Sequence, residues 1–207
     1  MKYPKHLFVS FIVFTLLVAV YQTNAQSTKE VFFNAGAAIP SKPEVFSDYW
    51  KMGFNVGGGV GFSISKNTTL SGSIDYSSFG IDEDGVLKSN GLSNTGVSIS
   101  GGAASILTIM GNAKILLTSD ASNIAPYIVG GLGFFNISTN DIKIAYMGDV
   151  DVLEGSSELA FSLLLGAGFQ FPIGNSSIFL EGNYHIGFTE GSSTAFFPIK
   201  VGLRMKI

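Results

Sequence analysis

The sequence predicts an all-β fold, an eight-stranded antiparallel up-and-down transmembrane β-barrel. Three observations carry that expectation. Segments with period-two alternation recur along the chain. They run for roughly ten residues or more, against about 5–6 in ordinary soluble strands and ~9–11 for a strand crossing a bilayer at a tilt. The connections between them alternate between short and long, as in a meander with one plain rim and one elaborated rim.

Before the first strand lies an export signal. Lys2 and Lys5 form a basic head, Leu7 to Val20 is an apolar run broken by Ser10 and Thr15, and Thr23-Asn24-Ala25 ends in a small residue. That arrangement predicts cleavage after Ala25, so residues 1–25 are read as a signal peptide and 26–207 as a single barrel domain. No later stretch approaches the ~18 continuous apolar residues of a membrane helix. Removing the signal takes away two of the twelve basic side chains and none of the fifteen acidic ones. The remaining chain is acidic, which argues against a nucleic-acid partner.

The strands follow in order. Val31–Ile39 sets Val31, Phe33, Ala35, Ala37 and Ile39 against Phe32, Asn34, Gly36 and Ala38. Gly53–Ile64 alternates large residues (Phe54, Val56, Val60, Phe62, Ile64) with Asn55, Gly57, Gly59, Gly61 and Ser63. Leu70–Phe79 opposes Leu70, Ile74 and Tyr76 to Ser71, Ser73, Asp75 and Ser77, and Ser105–Leu117 opposes Leu107, Ile109, Ala113, Ile115 and Leu117 to Thr108, Asn112 and Lys114. Tyr127–Asn136 is rich in Gly and Phe. Glu158–Phe171 places Leu159, Phe161, Leu163, Leu165, Phe169 and Phe171 opposite Glu158, Ser162, Gly166, Gly168 and Gln170. Ser177–Phe188 opposes Ile178, Leu180, Tyr184, Ile186 and Phe188 to Glu181, Asn183 and His185. The last strand, Phe197–Ile207, alternates without a miss, with Lys200, Arg204 and Lys206 on its polar face. The short connections are Ser65–Thr69, Thr118–Pro126 and Pro172–Ser176. The long ones are Pro40–Met52, Gly80–Ala104 and Ile137–Ser157, read as loops, with a more modest Thr189–Ala195. Little in the chain after the signal favours helix.

Charge decides which face points where. Backbone groups cannot be left unpaired in hydrocarbon, so a spanning sheet must close. A Lys or Arg facing mid-bilayer costs about 2–4 kcal/mol in a barrel. Asp75, Lys114, Glu158, Glu181, His185, Lys200 and Arg204 are therefore assigned to a polar lumen network, with Glu181 facing Lys200 or Arg204 on the neighbouring strand. Gly at 26 and Phe at 18 of 207 residues suit a narrow barrel, where facing interior positions cannot all be large. A soluble exported barrel that binds a lipid in an apolar core is the alternative, and it would ordinarily bring disulfides; this chain has no cysteine.

Gly57-Gly-Gly-Val-Gly-Phe62, Pro126-Tyr-Ile-Val-Gly-Gly-Leu-Gly-Phe134 and the alternating final strand resemble the small eight-stranded outer-membrane β-barrel domain family of Gram-negative bacteria. The resemblance covers essentially residues 27–207. It implies residence in the cell outer membrane, outer-membrane lipids as surroundings and the barrel-insertion machinery as a partner in biogenesis. The family's last strand normally ends in an aromatic residue, whereas this one closes on Ile207. Because the family is functionally diverse, it implies place and shape more than task.

No catalytic, cofactor-binding or metal site is expected. Related barrels include lipid-modifying hydrolases with His and Ser close together on one strand; here Tyr184-His185-Ile186-Gly187 has Gly at the second position after His, leaving Ser162 on another strand as the candidate nucleophile, with Glu158 or Glu181 to orient the ring. The Gly57 run lacks the spacing of a phosphate loop. Asp82, Glu83, Asp84 and Asp149, Asp151, Glu154 lack the ordered spacing of a calcium loop and are read as solvated charge. Tyr49, Trp50, Phe79 and Phe188 at one rim, and Tyr127 and Phe171 at the other, are candidate interfacial anchors. The expected role is structural or interactive, with an extracellular ligand at Gly80–Ala104 and Ile137–Ser157. A narrow channel or transporter for small solutes is the alternative.

Overall fold

The computed structural model describes residues 28–93, 95–118, 124–147 and 149–207. The export signal falls on residues outside these. Eight long strands build the barrel: β1 (Lys29–Lys42), β2 (Gly53–Ser63), β3 (Thr68–Phe79), β5 (Ala104–Leu116), β6 (Ala125–Thr139), β9 (Ser157–Ile173), β10 (Ser176–Phe188) and β11 (Ser193–Lys206). Helices α1 (Glu44–Tyr49) and α2 (Glu83–Ser89), and strands β4 (Ser98–Gly101), β7 (Ile142–Tyr146) and β8 (Asp149–Leu153), stand on the long connections.

Each barrel strand pairs antiparallel with its neighbours in the chain, and β1 closes the circle by pairing with both β2 and β11. Val31 lies opposite Val60 on one side and Met205 on the other. Closure removes every barrel edge, which hydrocarbon surroundings require. The outward face is a continuous apolar band; Leu165 is 72% exposed, Val60 63% and Phe33 58%, while inward Lys200 is 4% and Arg204 6%. A soluble monomer rarely exposes contiguous apolar patches beyond a few hundred Å². This is the lipid-out, charge-in geometry of a membrane barrel.

Inside, large residues lie over glycines on the neighbouring strand. Tyr127 faces Gly168, Phe179 faces Gly202 and Phe32 faces Gly59. A Cβ on Gly168 would sit 2.7 Å from the Tyr127 ring, so the ring lies flat only because the glycine has no side chain. In a barrel of eight strands, that pairing of large with absent lets the interior fill.

Several expectations are corrected. The long connections are not plain loops. Pro40–Met52 contains α1, and Gly80–Ala104 contains α2, capped by Asp82, whose carboxylate accepts from Gly85 N–H at 3.3 Å. Strand β4 from that connection joins β7 and β8 from 137–157 in a three-stranded sheet above the barrel. Two of the proposed interfacial anchors face inward instead: Phe79 is 0% and Tyr127 1% exposed. Strand parity puts both rings in the lumen, where glycines and other rings accommodate them. Trp50 is likewise turned inward onto the loop-side core.

Candidate functional site: a sealed lumen beneath a loop sheet

The half of the lumen toward the short turns holds two ion-pair clusters. In the first, Glu30 Oε1 lies 3.4 Å from Arg204 Nη1 and 3.7 Å from Lys114 Nζ. Gln170 Oε1 accepts from both cations, at 3.2 Å from Lys114 and 3.4 Å from Arg204. The Arg204 guanidinium lies 5.4 and 5.1 Å from the ring centroids of Phe32 and Phe179, which meet edge-on at 6.4 Å, and makes a cation–π contact with each. In the second cluster, Lys200 Nζ lies 3.4 Å from Asp75 Oδ1 and 3.6 Å from Glu181 Oε1. Glu181 also accepts from Tyr127 Oη at 2.8 Å and Asn183 Nδ2 at 2.9 Å. One carboxylate serves two cations in the first, and two serve one in the second. The clusters thus carry opposite net charge and together balance. Tyr127 spans them, donating to Glu181 while Lys114 Nζ lies 5.8 Å from its ring centroid. Between them is a cavity of about 30 Å³, room for about one water.

Of the seven sequence-assigned network residues, Asp75, Lys114, Glu181, Lys200 and Arg204 meet in these clusters. Glu181 takes Lys200 and not Arg204 as its partner. Two residues stand apart. Glu158 has inward parity but sits at the loop-side rim, where it accepts from the Glu190 N–H at 2.6 Å. His185 is inward and 1% exposed, stacked on Phe196 at 4.8 Å between centroids, with no partner for Nδ1. Glu30, the anchor of the first cluster, lies outside the strand the alternation predicts from Val31, two residues after β1 begins at Lys29. Its signal was available: Glu30 shares the parity of Phe32 and Asn34.

The half toward the loops is dominated by apolar side chains, with Asn55, Ser77, Ser162 and His185 also buried there. Phe79, Phe135, Phe196, Ile106 and Ala104 are each buried to within 1%. Helix α1 lowers Phe46 onto Phe79, 5.1 Å away and edge-on, and Phe79 meets Phe196 at 5.9 Å in the same manner. Trp50 follows Phe46 by four residues, packs against it at 5.7 Å with the rings tilted by 52°, and donates its indole N–H to Gly102 O at 2.8 Å. A Lys51–Asp82 ion pair at 3.2 Å fastens α1 to the cap of α2. Its hydrogen bond from Lys51, with a second from the Gly85 N–H, holds the Asp82 carboxyl below its ordinary pKa. The mouth is thereby plugged by side chains from the loops.

Ser162 and His185 stand on adjacent strands, Ser162 opposite Gly187 and His185 opposite Leu164. Both point inward and both are enclosed, at 0% and 1% exposure. Glu181 is committed to Lys200, Tyr127 and Asn183, and Glu158 to a backbone amide, so neither carboxylate is bonded to the imidazole. No group of three or more His, Cys, Asp or Glu residues suited to a metal occurs among the described residues. On the outer wall lies an apolar depression of about 960 Å³, floored in part by Gly72, Gly111 and Gly130.

No protein-family model and no curated protein sequence matches this chain. Its likeness is structural. Neisserial surface protein A matches over 86% of this chain and 97% of its own at 15% identity, with a TM-score of 0.57. Ail of Yersinia pestis, solved in complex with the heparin analogue sucrose octasulfate, matches over 87% of this chain and all of its own, at 15% identity and a TM-score of 0.50. The outer membrane enzyme PagL matches over 86% of this chain at 15% identity, with a TM-score of 0.44. The chain has the fold of the small eight-stranded outer-membrane barrels.

Proposed function

We propose that this protein is a closed integral barrel of a Gram-negative outer membrane, exported through a cleaved signal segment, whose role is structural and interactive and is exercised by its loop side. The observation that carries this reading is the double seal. Two charge-paired clusters fill one half of the lumen and an aromatic plug fills the other, which supports a barrel that conducts no solute. Outer-membrane lipids would surround the apolar band, the insertion machinery would assemble it, and a ligand would meet the loop sheet. Nucleic acid and cofactors have no part in this reading.

Fold does not decide task, so the catalytic question rests on Ser162 and His185, and their burial without a carboxylate partner favours a packing role. The test is reconstitution of the refolded protein into planar bilayers. Silence at both polarities is the expected record, and steady single-channel steps would favour the narrow-channel reading. Acyl-ester hydrolysis lost on His185→Ala would overturn the non-catalytic part. Heat-modifiable gel migration and retention in detergent extracts check the membrane placement; a protein that stays in buffer without detergent would sink it.

A further inference from the structure

The loop sheet is ordered β4-β7-β8, and β8 is its outermost strand. Ser98 to Gly101 of β4 pair with Ala145 to Ile142 of β7, and Ile142 to Tyr146 pair in turn with Leu153 to Asp149 of β8. Beyond β8 no described residue makes a backbone hydrogen bond to the sheet. Two residues separate β7 from β8, and the first of them, Met147, has φ 50°, as primed hairpin turns require. A two-residue turn makes Tyr146 and Asp149 the closing hydrogen-bonded pair. Antiparallel geometry then alternates, so the N–H and C=O groups of Val150 and Val152 point away from β7, toward solvent.

Every residue of β8 is exposed. Val150 and Val152, 56% and 49% exposed, share one face, and Asp149 and Asp151 the other. Sheets blunt such an edge with charged side chains, most often lysine, or with a proline or a bulge; Asp-Val-Asp-Val-Leu has no lysine, proline or bulge. What it has is acid. Residues 141–154 carry four carboxylates (Asp141, Asp149, Asp151 and Glu154) against the single cation Lys143.

That charge selects the occupant. A second copy would have to pair β8 with β8. A register centred on Val150 sets Asp149 against Asp151, and one centred on Asp151 sets that residue against its own copy; like charges directly opposite are destabilising. A register centred on Val152 pairs only Asp151 with Leu153 within the strand. A strand with basic residues facing Asp149 and Asp151, and apolar residues facing Val150 and Val152, meets the same edge with complementary charge on one face and apolar contact on the other. We propose that β8 accepts an extended, alternately basic and apolar segment of another polypeptide as the fourth strand of the loop sheet. This rests on the surface-interaction reading above and names its partner class.

The probe is a fluorescent peptide containing Ile-Val-Lys-Val-Lys, titrated by anisotropy into the full-length protein in zwitterionic phosphatidylcholine nanodiscs. Saturable binding is expected. It should weaken at least tenfold when the peptide is N-methylated at alternate amides, which keeps its charge and removes its ladder hydrogen bonds. Val152→Pro should have the same effect, because that N–H faces away from β7 and its loss leaves the hairpin intact. Asp149→Asn with Asp151→Asn should weaken binding several-fold, as should Glu in place of Lys in the peptide. Binding that ignores N-methylation and Val152→Pro would reduce the contact to charge adsorption and overturn the proposal. So would an absence of saturable binding, or a dimer in sedimentation that Val152→Pro dissolves. Any of these three failures with an electrically silent barrel leaves the parent reading standing, whereas channel steps or hydrolysis would remove that reading whatever β8 binds.

Discussion

The two halves of the lumen fill the same tube with opposite chemistry. Toward the short turns, Glu30, Asp75 and Glu181 meet Lys114, Lys200 and Arg204. Toward the loops, Phe46, Phe79, Phe135 and Phe196 meet one another. Both sets reach across the barrel: Lys200 on β11 to Asp75 on β3, and Phe196 on β11 to Phe79 on β3. They differ in what they fasten. The ion pairs join strand to strand within the wall. The rings also bring down α1, and apolar burial is the force that can hold a loop helix in a mouth next to water. Charge serves where no loop must be recruited, and rings serve where one must.

The largest test of that contrast is Glu30→Ala. It leaves Lys114 and Arg204 buried with Gln170 as their shared acceptor, and removing one member of a buried ion pair costs about 3–5 kcal/mol. Urea unfolding in lipid vesicles should show a loss of about 4 kcal/mol, with far-UV circular dichroism and Trp50 fluorescence shifting together. The triple change Glu30→Met, Lys114→Met and Arg204→Met should recover most of it, since thioether side chains suit a site flanked by Phe32 and Phe179. A triple variant no more stable than the single one would show that the charges contribute something beyond mutual compensation.

Phe79→Ala attacks the other half. Deleting a buried Phe costs about 3–5 kcal/mol, and about 3 kcal/mol is expected here because Phe46 can settle into part of the space. The probes should now separate. Trp50 is the chain's sole tryptophan and sits on the plug, so its fluorescence should shift at lower urea than the barrel's dichroism. Coincident transitions would mean that the plug and wall unfold as one unit.

These halves were unequally legible in the sequence. Strand number, closure and the inward turn of Lys200 and Arg204 follow from period-two alternation and from the cost of charge in hydrocarbon. The aromatic half is less plain, because Phe79, Phe135 and Phe196 share the inward parity of polar neighbours, and an aromatic residue at such a position is easily taken for a membrane-level anchor. Only the flanking glycines mark them, and a glycine on the next strand becomes a partner only once register is known. The β7–β8 hairpin was a different kind of miss. Ile-Lys-Ile-Ala-Tyr and Asp-Val-Asp-Val-Leu, separated by Met147 and Gly148, carry a hairpin signature, hidden by reading the whole connection as a loop.

A smaller perturbation addresses the fastening alone. Trp50→Phe keeps a ring against Phe46 and removes the hydrogen bond to Gly102, so about 1 kcal/mol of plug stability should go. Phe46 amide exchange would quicken while exchange at Ala113, in the barrel wall, stays unchanged. Quickening at both positions would show that the plug stabilises the whole wall.

The smallest effect is electrostatic and lies at the surface. The hydrogen bond from Lys51, and then that from Gly85, lower the Asp82 carboxyl below its ordinary value of 3.8. A group depressed in the folded state stabilises that state above its unfolded pKa, and the contribution is lost as pH falls through the folded value. Trp50, next to Lys51, should therefore report an unchanged plug from neutral pH down to about pH 4 and loosen only below it. Asp82→Asn should remove that acid transition and leave the ion-paired half of the lumen untouched. A Trp50 transition surviving Asp82→Asn would place the acid-sensitive contact elsewhere, and would mean that the plug is held by its rings and the indole hydrogen bond without help from this ion pair.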